Sequence, residues 1–156
     1  MKILLATDGT KHSEFAIRMI DKFNLSEGDE IKIVSVVDMA VPLSIDLYAG
    51  YLPTTAEIEK TAQENAGKLL ETAKEKVIQT FGGKNIYVST QVLLGSPDSR
   101  IVETAEEIKA DLIIVGSHGY NRWERLLLGS VSDSVVHHAP CSVLVVRIES
   151  VGENRE

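Results

Sequence analysis

The sequence predicts an α/β fold: a three-layer, open, parallel five-stranded sheet with helices on both faces. Three observations predict it. Short apolar runs rich in β-branched residues recur along the chain. Stretches with helical spacing separate them, in the order strand, helix, strand, helix, strand, helix, strand, helix, strand. Such alternation builds a parallel sheet through right-handed crossovers. Open sheets of this kind bind ligands beyond the carboxyl ends of their strands, at the topological switch point. A 2-1-3-like or a 3-2-1-4-5 order both put that point beside strand one.

Lys2 to Thr7 is an apolar run ending in Asp8-Gly9-Thr10, a buried strand and its turn. Residues 11–23 carry Ala16, Ile20 and Phe23 at helical spacing. Ile31 to Val37 is the second strand and ends at Asp38. Residues 39–54 show no clean period, and their Leu, Ile and Tyr content suits a lid or binding loop rather than plain disorder. Thr54-Thr55-Ala56-Glu57 has capping-box spacing, and the stripe Ile58, Ala62, Ala66, Leu69, Leu70, Ala73, Val77, Phe81 predicts a long helix closed by Gly82-Gly83. Ile86 to Leu94 alternates, a third strand with one wetter face. Ser96-Pro97 places an N-cap residue before a first-turn proline, and Ile101, Ala105 and Ile108 face inward. Asp111 to Gly116 is the fourth strand. Gly129-Ser130 opens a last helix through Val131, Val135 and His138, and Ser142 to Arg147 is the fifth strand. Residues 149–156 form a polar tail expected to fray.

The 156 residues fit one domain. A net charge of -7 argues against binding nucleic acid or an anionic membrane through bulk charge. One cysteine, Cys141, permits no intramolecular disulfide and is expected to be a small buried residue. The first apolar run is too short for a signal peptide or a membrane span, so a soluble cytoplasmic protein is expected.

The stretch richest in chemistry is Gly116-Ser117-His118-Gly119, followed after nine residues by Gly129-Ser130-Val131-Ser132. It leaves a strand and enters a helix. Gly116 and Gly119 can adopt unusual backbone angles and admit a ligand close to the main chain. The free N–H groups and dipole at the last helix start suit a phosphate, and Ser130 and Ser132 can add hydroxyl donors. Equally, glycines mark tight turns and serines cap helices with no ligand present. The pattern is neither a P-loop nor a G-x-G-x-x-G fingerprint.

These residues match the G-x2-G-x9-G-[ST] signature of ATP-binding universal stress proteins, and the resemblance spans nearly the whole chain. Lys2 to Gly9 resembles that family's first strand and turn, Val34 to Asp38 its second strand, Gly95-Ser96-Pro97 the turn before its third helix, and Val143 to Arg147 its closing strand. Ser142 and Ala6 stand where many members have proline. The resemblance implies an adenine nucleotide alpha hydrolase-like fold of order 3-2-1-4-5, with one domain over residues 1–148. It also implies roles. Ala6, Thr7 and Asp8 border the ribose and adenine, and Val36 offers its backbone to the adenine edge. Gly116, Ser117, His118, Gly119, Tyr120, Asn121 and Arg122 wrap ribose and phosphates, while Gly129, Ser130, Val131 and Ser132 hold the phosphates. ATP is the implied ligand, with Mg2+ or Mn2+ carried mainly by its phosphates.

Bland readings stand beside these. Asp8 before glycine can simply make a turn. Asp38 can bind a ribose or only begin the loop. Arg122 and Arg125 can pair with phosphate or sit solvated beside Glu124. His137 and His138 read as helix-terminal residues rather than metal ligands. The leading expectation is a nucleotide-dependent regulatory protein. The alternatives are a slow ATPase or nucleotidyl transferase, for which no activated nucleophile or positioned base is evident, and a dimeric interaction module without ATP. The family's sheet order puts the last strand at an edge. Val143–Val146 bears no charge or proline to guard it, so a homodimer through that strand is expected, beside an unidentified regulatory partner.

Overall fold

The computed structural model describes residues 1–38, 54–117 and 128–147. Within them run β1 (Lys2–Ala6), α1 (Lys11–Met19), β2 (Glu30–Val37), α2 (Thr55–Thr80), β3 (Tyr87–Leu94), α3 (Pro97–Ile108), β4 (Leu112–Gly116), α4 (Ser130–His138) and β5 (Ser142–Val146). The five strands pair in the order β3-β2-β1-β4-β5, and every neighbouring pair is parallel. The predicted fold class is therefore the observed one. The loop expected at 39–54, apart from Thr54, and the tail at 149–156 lie outside the described residues.

The layers follow from which way each strand residue points. Ile3 and Leu5 of β1 join Ile31 and Ile33 of β2 in a core under α1 and α2, with Ala16, Ile17, Leu70, Ala73 and Val77. Leu4 and Val34 point the other way, into a core with Ile101, Ala105 and Val135 of α3 and α4. Both faces of β1 are covered, which is why its sequence shows no polar alternation. β3 lies at one edge, and its Tyr87 and Leu94 are exposed.

Local chemistry sets the helix ends. Thr54 and Glu57 form the predicted capping box, Thr54 Oγ1 accepting from Glu57 N–H while Glu57 Oε2 accepts from Thr54 N–H. Of the predicted stripe on α2, Ala66, Leu70, Ala73, Val77 and Phe81 are buried, whereas Ile58 and Ala62 in the first turns stay half-exposed. The first helix is shorter than its spacing suggests. It ends at Met19 and tightens into a 3-10 turn over Ile20–Lys22, where Phe23 N–H donates to Ile20 O. That turn satisfies a terminal carbonyl while Ile20 stays fully buried. Ser96 precedes Pro97 as expected, but its hydroxyl does not cap α3. It donates to Asp98 Oδ1 at 2.6 Å instead. Cys141 is half-buried rather than fully buried, packed against the α3–α4 core.

Candidate functional site

The site is built from the carboxyl ends of the strands. α1 leaves β1 toward one face of the sheet and α4 leaves β4 toward the other, although β1 and β4 are neighbours. The crevice between them is the switch point that strand-order arguments anticipate. β2 runs past the end of β1, because Ala6 already pairs with Val34 and β2 continues to Val37. In a parallel ladder, alternate residues of one strand bond to opposite neighbours. Thr7 N–H donates to Val34 O at 2.9 Å, and on the other side Gly95 N–H donates to Val37 O at 3.1 Å. Val36 therefore directs its N–H and C=O toward β1, at a level where that chain has turned away into α1. It presents a donor and an acceptor side by side.

The turn that makes room for this is held by side chains. Asp8 Oδ1 accepts from Thr10 N–H at 3.0 Å and from Thr10 Oγ1 at 2.7 Å. Gly9 sits at φ +78, a conformation that glycine adopts without strain. Thr7 is buried, and its Oγ1 donates to Ser13 Oγ at 3.0 Å. Asp8 thus does make the turn, with one carboxylate oxygen, and its Oδ2 lies outside that turn. The hydroxyls of Thr10 and Ser13 complete this corner, and neither stands out in the sequence. A polar run directly after the first strand is their only signal.

Gly116 ends β4 opposite Val146 and keeps an ordinary negative φ. Its lack of a side chain serves the protein's own packing. A Cβ there would lie 3.0 Å from His12 Cβ and 3.1 Å from both His12 C and Ser13 N. The expectation of unusual backbone angles at Gly116 is corrected accordingly: its φ is ordinary, and the first turn of α1 fills the space that a side chain would take. Ser117 follows, buried, donating its N–H to Val146 O at 2.8 Å.

Gly129 is the N-cap residue of α4, and no side chain caps this helix. The first helical bond is Asp133 N–H to Gly129 O at 2.9 Å. The N–H groups of Ser130, Val131 and Ser132 precede it, so they carry the positive end of the helix dipole without an intrahelical acceptor. Ser130 is exposed and Ser132 is buried. Gly129 N–H donates to Ser117 O at 2.8 Å, which brings the start of α4 against the end of β4. Thus Ala6, Thr7, Asp8, Val36, Gly116, Ser117 and Gly129–Ser132 gather at one rim of the sheet. His118, Gly119, Tyr120, Asn121 and Arg122 lie outside the described residues, as do Trp123 to Arg125.

Among the described residues, no group of three or more His, Cys, Asp or Glu side chains is placed to hold a metal ion. Two clefts, of about 360 and 440 Å3, lie at the opposite end of the sheet, lined by Phe23 and Phe81 in one and by Lys2, Glu30 and Tyr87 in the other. His137 and His138 occupy the last turn of α4, where positive character suits the dipole. Asp98 bridges α3 to α4. Hydrogen bonds from Ser96 and Ser134 hold its carboxyl below the usual range. Among the described residues, no helix is long and apolar enough to cross a membrane.

The chain is similar to known proteins in sequence and in fold. A family model described as the universal stress protein family matches residues 1–147. A putative universal stress protein of Staphylococcus aureus (strain USA300) is 38% identical over 150 residues, covering 96% of this chain and 85% of that protein. Among solved structures, the protein MJ0577 aligns with a TM-score of 0.78 at 27% identity, over 96% of each chain. A universal stress protein in complex with cAMP aligns at 0.62 and 23% identity, over 94% of this chain and 96% of the other. An Arabidopsis thaliana member with AMP bound aligns at 0.65 and 16% identity, over 96% and 93%.

Proposed function

The chain belongs to the universal stress protein family, and from that premise we propose that it is an ATP-binding regulatory member. The observation that carries the reading is the meeting, at one rim, of an open backbone donor–acceptor pair on Val36 with the uncapped start of α4. Adenine offers an acceptor at N1 beside a donor at its exocyclic amine. Val36 N–H and C=O complement that pair in that order. Guanine reverses the order, so the same edge discriminates against it. The N–H groups of Ser130, Val131 and Ser132 suit phosphate oxygens, which the helix dipole also favours. Asp8 Oδ2 borders the ribose side, and residues 116–122 cover ribose and phosphates. A Mg2+ or Mn2+ ion is carried by the phosphates and by water, which suits a cation that dehydrates reluctantly. The AMP and cAMP held by the two relatives above share the adenosine and phosphate chemistry of this ligand.

The protein acts in this reading as a sensor, with a homodimer as its working form. β5 is an edge strand without charge, and Val143 and Val145 direct their backbone groups away from β4. A second copy related by a two-fold axis satisfies those groups on both chains. Calorimetry on nucleotide-free protein tests the nucleotide reading. ATP with Mg2+ is expected to bind well above GTP. A flat titration with folded protein refutes it.

A further inference from the structure

Ser132 lies in the first turn of α4, yet it is only 3% exposed. Its Oγ stands 3.1 Å from Ser117 O and 2.9 Å from Gly129 O. Both neighbours are carbonyl acceptors, and a hydroxyl has one proton to give. That proton is committed to the backbone. A deprotonated phosphate oxygen only accepts, so this hydroxyl cannot serve it without releasing the carbonyls. The Ser117 carbonyl takes a second bond from Gly129 N–H, and Ser117 N–H is tied to Val146 O. One buried carbonyl, at 1% residue exposure, is therefore where the end of β4 and the start of α4 are fastened together.

We infer that Ser132 is a positioning residue. Through the Ser117 carbonyl it locks the first turn of α4 to the end of β4. It thereby holds the Ser130 and Val131 N–H groups in place for a phosphate that its own hydroxyl does not touch. The second half of this inference rests on the nucleotide reading above. The lock itself is a property of the ligand-free chain.

Amide hydrogen exchange of the ligand-free, full-length protein tests the lock. Ser132→Ala removes one buried hydrogen bond but leaves Ser117 O bonded to Gly129 N–H, so the fold is retained. Exchange at Gly129 is expected to quicken about fivefold, the equivalent of one net hydrogen bond, while Leu4 and Leu5 of β1, which open only with the whole chain, quicken by no more than that. Ser130→Ala, which removes an exposed hydroxyl, is expected to leave Gly129 unchanged. In titrations, Ser132→Ala is expected to weaken ATP about fivefold and leave adenosine binding unaltered, a split that general destabilisation would not produce. Unchanged Gly129 exchange alongside lost ATP affinity means that Ser132 donates to phosphate directly and overturns the inference. Faster exchange with unchanged ATP affinity overturns the positioning role. If the parent protein binds no ATP, the nucleotide reading fails, and the exchange comparison still decides the lock.

Discussion

Replacing Gly116 with alanine distinguishes two reasons for a glycine at the end of β4. If the missing side chain leaves room for a ligand, the ligand-free protein tolerates a methyl group. In the structure the room is taken by α1. The new Cβ would stand 3.0 Å from His12 Cβ and 3.1 Å from His12 C and Ser13 N. Two of these three atoms are helix backbone, which cannot swing aside as a flexible side-chain tip can. Overpacking of this kind costs about 1–3 kcal/mol. Because φ at Gly116 is already negative, alanine also restricts the unfolded chain, which returns about 0.4–1 kcal/mol. The net expectation is a loss of about 1–2 kcal/mol, or roughly 2–8 °C in Tm for a chain of this size. Gly67 supplies the control. It lies inside α2, and a methyl group added there would have nothing within 4 Å. Gly67→Ala is expected to stabilise by about 0.5–1 kcal/mol. Urea and thermal unfolding of the ligand-free proteins, followed by circular dichroism, measure both. If Gly116→Ala is as stable as the parent, or moves with Gly67→Ala, then α1 does not fill that space.

Asp98 links stability to acid. Its carboxyl is held below the usual range, first by the Ser96 and then by the Ser134 hydroxyl. A depressed folded pKa contributes stability that is present above the unfolded value of about 4 and disappears as pH falls through the folded one. Asp98→Asn is expected to cost about 0.5–1 kcal/mol at neutral pH after solvent screening, with the difference from the parent vanishing at low pH in denaturation curves. A gap that persists undiminished in acid contradicts the assignment. For the β5 edge, light scattering at micromolar concentration is expected to report twice the chain mass, and Val145→Lys to halve it; an unchanged mass moves the interface elsewhere. Bound ATP is expected to be hydrolysed slowly, if at all, because hydrolysis requires an oriented water and the nucleotide reading turns Asp8 Oδ2 toward the ribose rather than the γ-phosphate. Single-turnover measurement showing a rate near ~10 per second, abolished by His118→Ala, refutes the sensor reading.

The element order and the parallel sheet were legible in the sequence, as was the rim at which the candidate site residues gather. Burial on two faces leaves an unbroken apolar run such as Ile3–Ala6, and crossover handedness then restricts the topologies available to such runs. The glycine and serine pattern after β4 pointed to the family and to the start of α4. What the sequence could not disclose was which groups satisfy which. Gly116 meets His12 and Ser13, Ser132 meets Ser117, and Ser96 turns from its helix to Asp98. The α1 spacing likewise ran through Phe23, while the helix tightened after Met19. Periodicity is a local property that survives in one dimension. The choice of acceptor for a hydroxyl, or of neighbour for a bare Cα, is made by segments that tertiary packing alone brings within a few ångströms, and only the folded chain decides it.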